Sequence, residues 1–423
     1  MPDYTRRILD DLLDVLLPEL PAVEVHGAKG VGKTATARRR AASVLELDDP
    51  AARELVAADR AHLTRLPAPV LLDEWQRMPE VWDIVRRHVD AGAERGRYLL
   101  TGSAAPVGAA IHSGAGRVVG ARLRPLSLAE RGIETPTVSL AALLGGATDV
   151  GGTTEVALPT YIEEIVGSGF PGIRTGTPAV RTRRLDAYLD AVVEREFPEQ
   201  GLAVRRPHVL RNWLRAFAAA TSTTASYNAI LAAATPGESD KPAKTTTIAY
   251  RDVLESLWLL DEVEAWLPAG NHFTRLGQAP KHHLADPALA ARLLGVDAAA
   301  LAAGAQGPSS DLRRGALLGA LFEHLVTLSV RAYADATDAT VHHLRTRDGD
   351  HEVDLIVRRP DGRVLAIEVK LAAYVTDADV RHLSWLRARI GDDLVGAVVV
   401  TTGREAYRRQ DGIAVVPAAL LGP

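Results

Sequence analysis

The 423-residue chain contains no cysteine, which excludes disulfides, zinc–thiolate sites and thiol catalysis. It also lacks any uninterrupted apolar run of transmembrane length. Asp10, Asp11 and Asp14 break the N-terminal stretch where a secretory leader would carry a continuous apolar core, so the expectation is a cytoplasmic protein without membrane contact. Charge of one sign is missing too. A net charge of −4 excludes a globally basic nucleic-acid binder and confines any such surface to a local patch. Lysine is scarce, six residues among 49 basic ones, a bias read here as GC-rich base composition. What remains, 47% hydrophobic and 24% charged residues, is the composition of a globular chain long enough for two or three domains.

The first stretch with chemistry in it is Gly27-Ala28-Lys29-Gly30-Val31-Gly32-Lys33-Thr34, preceded by the apolar run Ala22–Val25 and followed by helix-favouring residues. Strand, glycine-rich turn and helix start come in the order that a phosphate-binding loop requires. Glycines at 27, 30 and 32 let successive N–H groups converge on a polyanion, and the helix start adds its positive dipole end. Lys33 is expected to meet the β- and γ-phosphates of ATP, and Thr34 to place its hydroxyl on Mg²⁺. The helix is expected to run to about Leu45, and Asp49-Pro50 to start the next one as cap and first turn.

Pro69-Val70-Leu71-Leu72-Asp73-Glu74 then reads as a strand that ends in two carboxylates at the carboxyl edge of a parallel sheet, beside the phosphate loop. Asp73 is expected to hold the Mg²⁺ hydration shell and Glu74 to polarise the attacking water. Arg97–Ser103 reads as a further apolar strand ending in a hydroxyl residue; Thr101 suits sensing of the γ-phosphate or positioning of the water, and a plain Gly-Ser turn is the alternative. In His112-Ser113-Gly114-Ala115-Gly116-Arg117, Arg117 is either a group that meets transition-state charge or a surface ion-pair partner.

Gly27–Thr34, Leu71–Gln76, Leu99–Ser103, Ser113–Arg117 and Arg124-Pro125-Leu126-Ser127-Leu128 together resemble bacterial and archaeal AAA-type ATPases of uncharacterised role. That resemblance implies an α/β fold class with an N-terminal P-loop NTPase parallel sheet, a helical winged-helix middle region, and a C-terminal mixed α/β domain of unknown function similar to PD-(D/E)xK nucleases. The corresponding domain expectation is 1–145, 155–300 and 311–423.

In the middle region Gly145–Thr154 reads as a loop or boundary, Gly167–Gly172 as a turn, and 178–196 and 207–220 as helices. A loop over Thr235–Ala243 precedes a helix to Leu260, after which Val263, Ala265 and Leu267 alternate like a strand. Helices before a short hairpin suggest a winged helix, but Lys241, Lys244 and Arg251 are its only basic residues near the would-be recognition helix. DNA contact there and simple packing both stay open. The pairs His282-His283 and His342-His343 lack i, i+4 metal spacing and read as ordinary histidines.

A loop over Ala302–Ser310 leads to a helix from Asp311, followed by strands near 340–346, 351–358 and 363–370, a helix over 376–389, and strands at 395–401 and 413–416. On strands of period two, Glu352 and Asp354 share a face, as do Glu368 and Lys370. Through a hairpin at Pro360-Asp361-Gly362 they can converge as two carboxylates able to hold Mg²⁺ or Mn²⁺ and a lysine able to orient water. Asp354, Glu368 and Lys370 match the nuclease pattern, with Glu323 as an additional acidic ligand; amphipathic strands with a solvated charged face are the alternative. The functional expectation is Mg²⁺-dependent ATP hydrolysis coupled to a nuclease-like domain acting on DNA. The rival is a nucleotide-dependent switch that binds a protein partner through an inactive C-terminal domain. Oligomeric state stays open.

Overall fold

The computed structural model describes residues 4–104, 116–235, 242–268, 279–306, 312–347 and 349–423. The chain forms two compact units. The first comprises Met1–Arg124, Glu196–Ala203 and Asp252–Leu259; the second comprises Pro125–Arg195, Val204–Arg251 and Leu260–Pro423.

The first unit is built on five parallel strands: β1 (Ala22–His26), β2 (Ser43–Glu46), β3 (Val70–Asp73), β4 (Tyr98–Gly102) and β5 (Val119–Arg122), in the order β2-β3-β4-β1-β5. Val23, Val25, Leu71, Leu72, Leu99 and Leu100 are all fully buried. A parallel sheet is covered on both faces, which is why its strands read as apolar runs without alternation. Helices Ile8–Leu16, Lys33–Arg38, Pro50–Ala58 and Glu80–Asp90 belong to this unit. Asp49 caps the third of these by accepting from the Ala51 N–H at 2.9 Å, with Pro50 in its first turn. The helix expected to reach Leu45 stops at Arg38, because Ser43–Glu46 pairs with β3 as the sheet's edge strand.

In the second unit the helices include Leu158–Gly167, Pro178–Ala191, Pro207–Ala219, Tyr227–Ala233, Pro287–Leu294, Ala298–Gln306 and Leu312–Asp335. Three of these start on a visible side-chain cap: Thr177, Ser226 and Asp286 each accept a backbone N–H of the following turn. The loop expected over Ala302–Ser310 is helical as far as Gln306, an alanine-rich run capped by Asp297, whose carboxylate accepts from the Ala300 N–H at 2.8 Å. Its remainder lies outside the described residues.

Short strands β6 (Val138–Ser139) and β7 (Gly152–Thr153) precede β8 (Thr340–Arg345), β9 (Glu352–Arg358), β10 (Val364–Lys370), β11 (Leu394–Thr401), β12 (Glu405–Arg408), β13 (Ala414–Pro417) and β14 (Leu421–Gly422). A seven-stranded sheet runs β7-β12-β13-β11-β10-β9-β8, with β8, β9 and β10 antiparallel and β10, β11 and β13 parallel. The helix Arg381–Ile390 joins β10 to β11. The stretch expected as a boundary loop, Gly145–Thr154, supplies β7 at the edge of this sheet through pairs with β12. The strand expected at Val263–Leu267 exists only as isolated bridges: Leu260 to Leu284 and Val263 to Lys281 antiparallel, and Ala265 to His343 parallel.

Leu318, Leu321, Phe322, Leu325, Val326 and Leu328 put one face of the helix Leu312–Asp335 in the core. Contrary to the expectation from the sequence, its Gly315–Asp335 stretch is long and apolar enough to cross a membrane, with mean hydropathy 1.2; 56% of the apolar window is buried in protein, as in a core helix.

Candidate functional site

The phosphate loop leaves β1 at Gly27, whose φ of 149° and position permit no side chain: a Cβ there would lie 2.2 Å from the Leu123 carbonyl oxygen. Gly30 and Gly32 also have positive φ, 85° and 103°. Val31 is buried, and its carbonyl accepts from Arg7 Nη1 at 2.8 Å. Lys29 points outward to Glu196, Nζ to Oε1 2.6 Å.

Lys33 is buried, and its amine donates to the Gly27 and Ala28 carbonyls at 2.9 and 3.0 Å, so it lies folded across its own loop. Burial pulls its pKa down to about 8, against the attraction of Glu74 and Asp73. An ammonium held by neutral carbonyls at a desolvation cost is ready to exchange them for phosphate oxygens.

Asp73 closes the site. Its Oδ1 accepts from Thr34 Oγ1 at 2.8 Å and from Thr101 Oγ1. Burial raises the Asp73 pKa, opposed by those two hydroxyls. The register explains the meeting, since Asp73 and Thr101 are neighbours across β3 and β4. Glu74, the residue after the strand, sits at φ 54°, a left-handed conformation that costs a non-glycine residue on the order of 1 kcal/mol. Ser103 Oγ donates to its Oε2 at 2.9 Å, and Gln76 Nε2 donates to both Glu74 Oε2 and Ser103 Oγ. Sequence reading missed Gln76 and Ser103 as its partners. The backbone strain is what turns this carboxylate away from the strand and toward β4.

Arg117 is half-exposed and pairs through Nε with Asp90. His112–Ala115 lie outside the described residues.

ATP and Mg²⁺ fit this set on the structure's own terms. Gly27–Thr34 and the buried amine form a cradle for a polyphosphate, and the Thr34 hydroxyl beside the Asp73 carboxylate offers oxygen donors suited to a hard cation.

The C-terminal residues meet differently from expectation. Pairing of β9 with β10 ends at Leu355 and Ile367, and past that point Asp354 Oδ2 accepts the Val369 N–H at 2.9 Å. Glu368 Oε1 pairs with Lys370 Nζ at 2.7 Å. Asp354 and Glu323 do converge, but on a residue that sequence reading passed over: the ammonium of Lys281 lies 2.9 Å from Glu323 Oε1, 2.9 Å from Asp354 Oδ1 and 3.0 Å from Glu352 Oε1. Two of the three residues expected to ligate a metal, Glu323 and Asp354, thus meet around a lysine ammonium, while the third, Glu368, pairs with Lys370. Among the described residues no group of three or more His, Asp or Glu side chains is arranged to hold a metal ion.

Burial opposes the Lys281 charge, yet Asp354, Glu323 and Glu352 outweigh it and push its pKa well above the ordinary lysine value. Burial and the neighbouring Asp354 charge push Glu323 and Glu368 up to about 8. The one signal for Lys281 was compositional. In a chain with six lysines among 49 basic residues, a lysine next to a histidine pair in an apolar context deserved the same scrutiny as Lys33.

Of the would-be DNA contacts, Arg251 lies over the Tyr227 ring, 3.8 Å from guanidinium carbon to centroid, and Lys241 is outside the described residues. His282, His283 and His343 are buried and hydrogen-bonded, as expected of core histidines.

Residues 20–131 match the model of an AAA domain, 158–300 that of a domain of unknown function (DUF8612), and 318–421 that of a second domain of unknown function (DUF4143). Uncharacterised proteins of Mycobacterium tuberculosis and Mycobacterium bovis are each 25% identical over 408 residues, spanning 95% of this chain and 81% of theirs. Two solved structures align at 15% identity. A Walker-type ATPase of Pyrococcus abyssi gives a TM-score of 0.37 over 69% of this chain and 96% of its own; the Aeropyrum pernix ORC2 protein gives 0.26 over 68% and 90%. With the loop geometry above, residues 20–131 are a nucleotide-binding P-loop ATPase domain of the AAA type.

Proposed function

We propose that the chain hydrolyses ATP with Mg²⁺ and uses nucleotide state to set the conformation of its C-terminal half. The observation that carries this is the joining of three sequence-distant stretches beside the phosphate loop: Thr34 and Thr101 both donate to Asp73, while Ser103 and Gln76 hold Glu74. When bound, Mg·ATP supplies the phosphoanhydride to be cleaved. Lys33 offsets phosphate charge, Thr34 and Asp73 provide oxygens on the metal side, and Glu74 orients and deprotonates a water, with Thr101 positioned beside them.

For the C-terminal half the two expected roles diverge, and one observation favours the rival. Helix Leu312–Asp335, three antiparallel strands, helix Arg381–Ile390 and β11 follow one another as in a nuclease-like domain, yet Lys281 sits where the catalytic cation would act. Binding of a protein partner through a catalytically inactive domain accounts for that better than DNA cleavage does.

The test is nucleotide binding and turnover on the full chain, with supercoiled and linear DNA added in the presence of Mg²⁺ or Mn²⁺. Lys33→Ala should abolish ATP binding, and Glu74→Gln should bind but not turn over. If Arg117 leaves Asp90 to meet transition-state charge, Arg117→Ala lowers turnover about tenfold, roughly 1.4 kcal/mol, at unchanged affinity. Unaltered affinity in Lys33→Ala overturns the ATPase reading, and metal-dependent cleavage of DNA by the wild type overturns the inactive C-terminal domain.

A further inference from the structure

β1 runs between β4 and β5, and its residues alternate: Val23 and Val25 take one face of the sheet, Ala22, Glu24 and His26 the other. Ala22 packs in the cluster that includes Val70, Leu72, Leu100, Trp75 and Trp82, so Glu24 places a carboxylate on the face which that apolar cluster covers. Its side chain is 18% exposed. Burial pushes its pKa up, opposed by one hydrogen bond: Trp75 Nε1 donates to Glu24 Oε1 at 2.9 Å. A carboxylate there carries a desolvation cost that an aliphatic side chain of the same size would not.

That hydrogen bond leads in one step to Glu74. Trp75 is the next residue, Glu74 at φ 54° opens the tight turn Trp75–Arg77, and Gln76 of the same turn holds the Glu74 carboxylate. The Trp75 indole is buried, stacks on Trp82 at 4.7 Å and lies so close over Gly102 that a Cβ there would be 2.8 Å from Nε1. A buried indole N–H needs an acceptor, and a carboxylate is a stronger one than a neutral oxygen. The left-handed residue at 74 persists because its surroundings over-determine it, and the anchored indole is one of those constraints.

We propose that Glu24 is a positioning residue for ATP hydrolysis: by anchoring the Trp75 indole it fixes the turn that carries Glu74 and Gln76, and with it the direction in which Glu74 meets the attacking water. This rests on the reading of the chain as an ATPase, and its test separates the two.

The experiment compares full-length wild type with Glu24→Leu, Glu24→Gln and Trp75→Phe. Glu24→Leu removes the acceptor at similar size and should lower turnover at saturating ATP about tenfold, with ATP affinity by calorimetry unchanged. Its urea midpoint should stay close to that of the wild type, because an apolar side chain in place of a buried carboxylate offsets the unpaired indole N–H. Glu24→Gln, which keeps an acceptor oxygen, should recover most of the turnover. Trp75→Phe should lower turnover as Glu24→Leu does, and the two combined should add no further loss, since they break one link. Hydrogen exchange reads that link without turnover: the Arg77 and Met78 amides, bonded to the Glu74 and Trp75 carbonyls, should exchange several-fold faster in Glu24→Leu while Gly27–Thr34 stays unchanged. Should Glu24→Leu not fold, Trp75→Phe carries the same two readings. Wild-type turnover and exchange in Glu24→Leu overturn the proposal, as does a loss shared equally by affinity and turnover, or a Glu24→Gln no better than Glu24→Leu. A wild type that binds ATP without turning it over overturns the ATPase reading instead, and exchange at Arg77 and Met78 still decides whether Glu24 holds the turn.

Discussion

Lys33 carries its charge against burial, which holds its pKa at about 8 instead of 10.5 in the nucleotide-free protein. A bound polyphosphate stabilises the charged form and so raises that value. Below pH 8 the amine is already charged and affinity for ATP should be insensitive to its titration. As pH rises through 8, binding must take up a proton, and affinity should fall by up to about tenfold per pH unit until the bound-state pKa is approached. Calorimetry at pH 8.5 in buffers of different ionisation enthalpy should therefore show proton uptake that disappears at pH 7. Equal heats in all buffers at pH 8.5 would mean that Lys33 is already exposed to water or paired elsewhere. The neighbouring strain at Glu74 belongs to the same scale: one left-handed residue aims the carboxylate that the strand's own geometry would have pointed elsewhere.

At the level of elements, β1, the loop and β5 are fitted so closely that the backbone of one occupies the side-chain space of another. A Cβ on Gly27 would overlap the Leu123 carbonyl at 2.2 Å, and the carbonyl belongs to main chain that cannot swing away. Gly27→Ala is thus expected to cost about 2–3 kcal/mol in urea unfolding and to weaken ATP binding at least tenfold. Gly92, also at positive φ but with open space where its Cβ would go, should cost only about 1 kcal/mol on the same change and leave binding intact. Equal midpoints for the two variants would contradict the close approach. Elements were legible where their own residues carry the signal: Asp49-Pro50 announces a helix start, and the apolar runs of β3 and β4 announce buried strands. They were illegible where pairing decides. Ser43–Glu46 and Gly152–Thr153 are strands because a neighbouring edge offers N–H and C=O groups, and neither has the period of a strand in its own residues.

On the scale of the whole chain, the first unit is discontinuous. Glu196–Ala203 and Asp252–Leu259 join it from far along the sequence. Glu196 pairs with Lys29 of the phosphate loop, Arg77 with Glu199 at 2.8 Å, and Trp258 stacks on His26 at 4.3 Å at the end of β1. Binding of a non-hydrolysable ATP analogue should therefore slow amide exchange in Glu196–Ala203 and Asp252–Leu259 as well as in Gly27–Thr34, by several-fold in hydrogen-exchange mass spectrometry. Protection confined to the loop, with both inserted segments unchanged, would show that they do not respond with it. A boundary read along the chain cannot register such segments, which leave one unit and return to another.

The sequence by itself determined the nucleotide-binding chemistry, since phosphate binding needs glycines, a lysine and a hydroxyl at fixed short spacing, all within Gly27–Thr34, and the Asp73-Glu74 pair follows from a strand end. It also determined most strands of the C-terminal sheet, whose apolar periodicity is local. Only the tertiary structure decided that Asp354 and Glu323 face an ammonium. Lys281 is separated from them by 73 and 42 residues, and its backbone is placed by bridges to Val263 outside any regular strand. Spacing rules describe neighbours on one helix or strand; a charge delivered across three elements is set by how they pack, which no period in the sequence encodes.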